Sequence, residues 1–369
     1  MDARGSRGGA FAGATGATGA MTATAAAPAV LSSEAVRAAA RAARFTLVGL
    51  ARAEPLDGTA LRRWLDAGHA ADMDWMARRF EDRLDPGRVL AGARTVIALA
   101  IAYRQPRGVR SPVAAYARGR DYHYAHRDRM KALRQRLLAL DPTIETYACV
   151  DTGVAMEKPW AERAGLGWIG KNGCLINPRL GSWLTLSVMF IDRAVDAYDR
   201  PHDNRCGDCV ACLAACPTKA FSAPAVVDAR RCIAYQSIEN RADVPLPLRR
   251  GFRGRVFGCD TCQDVCPYNR GADIPPGDAR FDPRPIGLLP PAALAALSAD
   301  EFARLAAGTA LARARYDGVR RNALLALGAA RDVRARAVVE RLVGDPSPLV
   351  AEAAAWALGR LPAPSPPDL

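Results

Sequence analysis

Cys206-Gly-Asp-Cys209-Val-Ala-Cys212-Leu-Ala-Ala-Cys216-Pro217 decides how this chain is read. Three cysteines at two-residue intervals, a fourth three residues later and a proline directly after it form the spacing of a bacterial ferredoxin half-site. The close triple wraps one corner of a 4Fe–4S cubane, while the fourth thiolate, before the proline, ligates the neighbouring cluster. A second run, Cys259-Asp-Thr-Cys262-Gln-Asp-Val-Cys266-Pro267, repeats the ending but lacks one ligand, and Cys232 is the spare cysteine of the same segment. The crossing rule then assigns Cys206, Cys209, Cys212 and Cys266 to one 4Fe–4S cluster, and Cys216, Cys232, Cys259 and Cys262 to the other. Structural zinc also uses Cys-x2-Cys pairs, but it explains neither the two Cys-Pro endings nor the compact triple. Two clusters side by side predict one-electron relay.

These are eight of the ten cysteines; Cys149 and Cys174 stand apart and read as small buried apolar residues. A secreted disulfide scaffold would be short and carry a signal peptide, and residues 1–30, rich in Gly, Ala and Thr, have no continuous apolar core. That stretch reads as a disordered extension, with Met21 as an alternative start, and metal-bound thiolates fit a reducing cytoplasm. The 369 residues suggest two to three domains with ample core. No run is long and apolar enough to span a membrane. A net charge of +13, carried almost wholly by arginine, hints at a polyanionic partner.

Working outward, Ser33 is expected to cap a helix through Glu34–Ala43. Phe45–Gly49, Thr95–Tyr103, Tyr147–Val150 and Trp183–Ile191 read as short buried strands. Strands with helices between them predict an α/β or α+β sheet domain over 31–200, followed by a loop-rich ferredoxin-like unit over 201–272. Past a proline-rich linker at 283–291, helical patterns cover Asp300–Leu305, Gly318–Ala329, Val333–Val343 and Leu349–Leu361. Asn322–Gly328 (NALLALG) and Ala353–Gly359 (AAAWALG) echo each other, so 273–369 reads as a short HEAT-like solenoid, with a plain helical bundle as the alternative. The fold class is thus α+β multidomain.

Several strings, in order, carry a resemblance to the epoxyqueuosine reductase family. They are Met73-Asp-Trp-Met76, Gly119-Arg-Asp-Tyr-His123, Val150-Asp-Thr152, Gly165-Leu-Gly-Trp-Ile-Gly-Lys-Asn172, Gly181-Ser182, Asp228-Ala-Arg-Arg-Cys-Ile233, Phe257–Pro267 and Gly308-Thr-Ala310. Each is short, but together with the eight cysteines they span about 35–360. The resemblance implies a cobalamin, bound base-off in the N-terminal domain against the ferredoxin-like unit. It further implies electrons passing through both clusters to cobalt, and reduction of epoxyqueuosine to queuosine at the wobble position of tRNA. The implied setting is a cytoplasmic monomer served by an unidentified low-potential electron donor.

The same resemblance places the proton donor at Asp151. An aspartate ordinarily titrates near 4, so that role predicts a pKa raised by burial. Glu157 and Lys158, on a following helix, are expected to orient the pocket. Lys171, Asn172, Ser182, Ser237 and Asp260 become candidate cobalamin or substrate contacts. The near-match Asp121-Tyr-His123-Tyr-Ala-His126 to a cobalt-ligating signature has His126 where glycine is required, and reads as chance.

Residues 104–136 hold ten basic side chains (Arg104, Arg107, Arg110, Arg118, Arg120, Arg127, Arg129, Lys131, Arg134 and Arg136), with Tyr116, Tyr122 and Tyr124 interleaved. Cations between aromatics suit the unstacked bases of an RNA loop, although a charge run is also an ordinary solvated helix face. Arg320 and Arg321, with Arg331, Arg334 and Arg336, form a second candidate for tRNA phosphates. Three other functions remain in view: a two-cluster electron carrier, a reductive dehalogenase-like cobalamin enzyme, and a non-catalytic tRNA-binding protein.

Overall fold

Thr95–Ala102 is buried at every position and forms the centre of a four-stranded sheet in the computed structural model, which describes residues 30–103, 111–270 and 278–362. The expectations for residues 1–29 and for Arg104, Arg107 and Arg110 lie outside the described residues. Leu47–Arg52 pairs with one edge of the central strand and Leu184–Ile191 with the other; Thr146–Cys149 completes the sheet beyond Leu184–Ile191, every pairing antiparallel. The run is apolar without alternation because both faces are covered. Ile97, Leu99 and Ile101 face the helices Ser33–Ala42 and Tyr122–Leu140, packing with Val36, Leu133 and Leu137. Val96, Ala98 and Ala100 face the helix Glu157–Arg163, and their small size leaves room for Trp160 and Phe190.

Local readings shift by a residue or two. The first helix starts at Ser33 and its cap is Ser32, whose Oγ accepts the Ala35 N–H at 3.3 Å; the Ser33 N–H goes instead to Asp196. The first strand begins at Leu47, and Phe45 turns into the core. Along 205–270 there are only short elements, among them the helices Ala211–Ala215, Ile233–Ile238 and Thr261–Asp264.

In the C-terminal part, the helix Arg315–Ala330 lies against Pro348–Leu358 at Gly328, where a Cβ would stand 2.7 Å from the Ala357 Cα. Glycine at that position is what lets the two helices touch. The expectation that Arg320 and Arg321 reach tRNA phosphates is corrected here. Arg321 is 1% exposed and donates to the carbonyls of Gln236, Asn240 and Ala242, while Arg320 forks onto Asp345. Beside them Asn322 Nδ2 donates to the carbonyls of Ser237 (2.8 Å) and Val256 (2.9 Å). Arg321 and Asn322 fasten the helical part to the cysteine-rich unit, because buried backbone carbonyls need donors.

Candidate active site between the sheet and the cysteine-rich unit

The cysteines come together in two groups. Cys206 and Cys209 are the thiols that bear on Cys266 and on Cys212, and Cys206 and Cys266 pack on the same Trp168–Ile176 patch. In the other group Cys232 faces Cys259 and Cys216, and Cys262 faces Cys259 and Cys232. Eight thiols in two foursomes form a donor set that fits two cubane clusters. Cys149 is buried against the sheet, and burial pushes its thiol up. Cys174 departs from its reading as an apolar filler, since its thiol lies beside that of Cys262.

The loop 113–118 crosses to this unit. The Ala114 N–H reaches the Phe257 carbonyl at 2.8 Å, and the Ala115 N–H donates to Asp260 Oδ2 at 2.7 Å. Burial pushes the Asp260 carboxyl up to about 6, against the Ala115 hydrogen bond, which lowers it. Aromatic rings fill the seam. Tyr116 stands 6.5 Å from Tyr103, 5.8 Å from Tyr122 and 6.4 Å from Phe257, ring centre to ring centre. Burial drives its phenol strongly up, and the negative charges of Asp151 and Asp260 add to that.

Asp151 follows the strand Thr146–Cys149 and sits in the left-handed region, φ 54°, which aspartate tolerates better than most residues. Glu157 Oε1 accepts its backbone N–H at 2.6 Å. Its Oδ2 lies 3.4 Å from His123 Nε2, while Asp121 Oδ1 lies 2.7 Å from His123 Nδ1. The Nε2 contact is an ion pair without hydrogen-bond alignment, so that buried nitrogen has no hydrogen-bond partner among the described residues. Burial lowers the His123 pKa, but the two carboxylates more than reverse this and hold it up at about 9.

The raised pKa expected of Asp151 is corrected by this arrangement. Burial raises the carboxyl, but the His123 imidazolium, the Tyr122 hydroxyl and the charge of Arg313 outweigh it and hold the group below its ordinary value. Solvent still reaches 63% of the side chain. Burial does push Glu157 up, to about 7. His123 is the residue that sequence reasoning missed. It lies within one of the strings that carry the resemblance, but the meeting of the Tyr122–Leu140 helix start with the loop after a distant strand is a tertiary event. His126, one turn on, is a different case: it is fully buried, bonded to Ser187 and Thr185, and lowered to about 3 by burial.

Of the other candidates, Asn172 lies in the glycine-rich turn with its Nδ2 buried and unpartnered among the described residues. Lys171 donates to the Gly207 carbonyl at 2.5 Å, and Lys158 to the Gly173 carbonyl at 2.9 Å. Ser182 and Ser237 are corrected. Ser182 Oγ donates to Gln263 and accepts from Asn269; Ser237 Oγ donates to the Ile233 carbonyl and accepts the Gly258 N–H. Both hydroxyls are buried and spent inside the protein. Arg118 is half-buried, its Nε on the Val113 carbonyl, and Arg129 is buried on Asp278 and the Arg44 carbonyl. Tyr116 and Tyr122 turn inward. Tyr124 alone of the three stands between outward cations, with Arg120 at 4.7 Å and Arg127 at 4.8 Å from its ring.

Comparison with known proteins agrees with this layout. The family model "Epoxyqueuosine reductase QueG, DUF1730" matches residues 83–152, "4Fe-4S double cluster binding domain" matches 205–269, and "HEAT repeats" matches 305–369. Epoxyqueuosine reductase from Gloeobacter violaceus is 45% identical over 318 residues, covering 82% of this chain and 98% of that protein. A crystal structure of epoxyqueuosine reductase with an epoxyqueuosine-modified tRNA-Tyr stem loop superposes with a TM-score of 0.81 at 30% identity, covering 89% of each chain. A Bacillus subtilis epoxyqueuosine reductase, its catalytic aspartate loop swung out of the active site, gives 0.79 at 29% identity, again over 89% of each chain. With that identity sustained across nearly a whole relative, the chain belongs to the epoxyqueuosine reductase family.

Proposed function

We propose that this chain reduces epoxyqueuosine to queuosine in tRNA, with Asp151 as the group that protonates the departing epoxide oxygen. The observation that carries the reading is that Asp151, on the sheet domain, and Asp260, between cluster cysteines Cys259 and Cys262, bear on the same half-buried Tyr116. Proton chemistry and electron supply thus meet across one seam.

The residues present fit a cobalamin there. The unpartnered Asn172 Nδ2 suits an amide carbonyl on a corrin rim, and Lys171 and Asp260 flank the same seam. When bound, that cofactor would supply low-potential two-electron reduction at the epoxide carbon. Cys206, Cys209, Cys212 and Cys266 would hold one 4Fe–4S cluster, and Cys216, Cys232, Cys259 and Cys262 the other. Asp151 delivers a proton to the oxygen, whose departure as an alkoxide is unfavourable in the absence of an acid, and because its carboxyl is held below the ordinary value that proton must reach it during the step. Glu157 fixes the backbone of Asp151, and His123 faces its carboxylate. Arg313, paired with Glu239 and 5.6 Å from the Trp75 ring, places positive charge beside Asp151. Arg120, Tyr124 and Arg127 supply stacking and phosphate contacts.

The test is anaerobic. Reconstituted protein receives a low-potential reductant and tRNA carrying epoxyqueuosine, with and without cobalamin, and the digested nucleosides are weighed by mass spectrometry. Loss of one oxygen only in the presence of cobalamin is expected. No conversion by protein with two reducible clusters would overturn the reading.

A further inference from the structure

We propose that His123, held by Asp121, is the proton store that loads and reloads Asp151 during turnover. The inference rests on Asp151 being the acid. It begins with stoichiometry. Opening an epoxide to an alkene and releasing its oxygen as water breaks two C–O bonds, forms one C=C π bond and two O–H bonds, and consumes two electrons and two protons. The electrons come from the low-potential donor through the clusters. One carboxylic acid gives one proton, so it must be recharged within each cycle.

The geometry supplies the source. Asp121 caps the Tyr122–Leu140 helix, and its Oδ1 takes both the His123 backbone N–H (3.0 Å) and Nδ1 (2.7 Å). Both contacts fix the ring with Nδ1 toward Asp121 and Nε2 toward Asp151 Oδ2, 3.4 Å away. Tyr122 stacks on the ring at 4.3 Å and prevents it from tilting. Nε2 is buried and without a hydrogen-bond partner among the described residues, and the Asp151 carboxylate with which it is ion-paired is the acceptor it faces.

The other groups around this pair are unsuited to the task. The Tyr122 and Tyr116 phenols are driven well up by burial, Arg313 holds its proton, and neutral His126 has both nitrogens committed. Glu157 titrates near neutral, but its oxygen is turned to the Asp151 amide. Because Asp151 is held below its ordinary value and His123 at about 9, the proton does not rest on the carboxylate: it moves from His123 Nε2 through Asp151 Oδ2 to the leaving oxygen as the C–O bond breaks and charge develops there. Neutral Nε2, itself buried, then recovers a proton from water by way of the Asp151 carboxylate, whose side chain is 63% exposed, and the transfer repeats. Acting through Asp151, His123 is a positioning residue.

Two measurements test this. In protein with ¹³C-labelled histidine and oxidised clusters, NMR follows the His123 signal, assigned by its loss in His123→Gln. A titration midpoint near 9 is expected, falling by about one unit or more in Asp151→Asn and in Asp121→Asn. An ordinary midpoint, unmoved by either change, would overturn the proposal without reference to activity.

In single-turnover assays the wild-type rate should fall as pH rises through about 9, and Asp121→Asn should move that break downward. His123→Ala should lose about 10²–10⁴-fold and regain rate with added imidazole, tRNA affinity being unchanged. His123→Ala within threefold of wild type, or a loss that imidazole does not rescue with the Asp121→Asn break unmoved, would refute the store. Full turnover by Asp151→Asn would remove the acid assignment itself, whereas an inactive Asp151→Asn beside a fully active His123→Ala would remove the store alone.

Discussion

Glu157 accepts the backbone N–H of Asp151 at 2.6 Å, and so holds the proposed acid in a left-handed conformation that an unsupported loop would leave. The hydrogen bond needs an oxygen at that place but no charge. Glu157→Gln should therefore keep turnover close to wild type, and Glu157→Ala should lose about 10²-fold, the penalty for misplacing a reacting group by an ångström or so.

The same residue makes a prediction about pH and stability. Burial raises the folded pKa of Glu157 from 4.5 to about 7, so the folded protein holds a proton that the unfolded chain has released. Its contribution is fully present below 4.5 and is lost as pH rises through 7. Apparent Tm values at a fixed scan rate, compared between wild type and Glu157→Gln, should diverge over that window with the glutamine form gaining relative stability. A constant difference would show that Glu157 is not buried as described.

Asp151→Asn preserves size and tolerates the same left-handed backbone. It should retain both clusters and tRNA affinity and lose turnover by about 10²–10⁴-fold. Single-turnover rates check this, and a near-wild-type rate would assign the proton to another group or to water.

Removing one thiol at a time reads the cluster partition. Cys266→Ala should damage the cluster of Cys206, Cys209 and Cys212, and Cys216→Ala the cluster of Cys232, Cys259 and Cys262. The two variants should therefore lose different electron paramagnetic resonance signals on reduction. Loss of the same signal in both would break the crossing assignment.

What could be read from sequence follows the range of each interaction. The cysteine spacing is local chemistry and needs no tertiary information. The strand Thr95–Ala102 was legible because burial on both faces demands an unbroken apolar run. Side-chain direction was not. Arg321 looks like any basic surface residue until its helix is seated on the carbonyls of Gln236, Asn240 and Ala242. Ser182 and Ser237 lie in the expected seam, but whether a hydroxyl faces a ligand or a neighbouring side chain depends on packing. The lowered pKa of Asp151 likewise depends on His123, which arrives from another element.

Those two kinds of arginine give opposite phenotypes. Arg120 and Arg127 flank Tyr124 on the surface, so reversing both to glutamate should weaken tRNA binding most at low salt. The slope of log K against log salt should fall by about 0.7 for each single-strand phosphate that is no longer neutralised, with stability little changed. Arg321→Ala should instead leave buried carbonyls without a donor, each costing about 1–3 kcal/mol, and lower the apparent Tm while the salt slope of the remaining folded protein stays constant. Affinity measured across a salt series, beside thermal melts of both variants, separates the two. A salt slope altered by Arg321→Ala, or unaltered by the surface pair, would return the tRNA-binding role to the helical part.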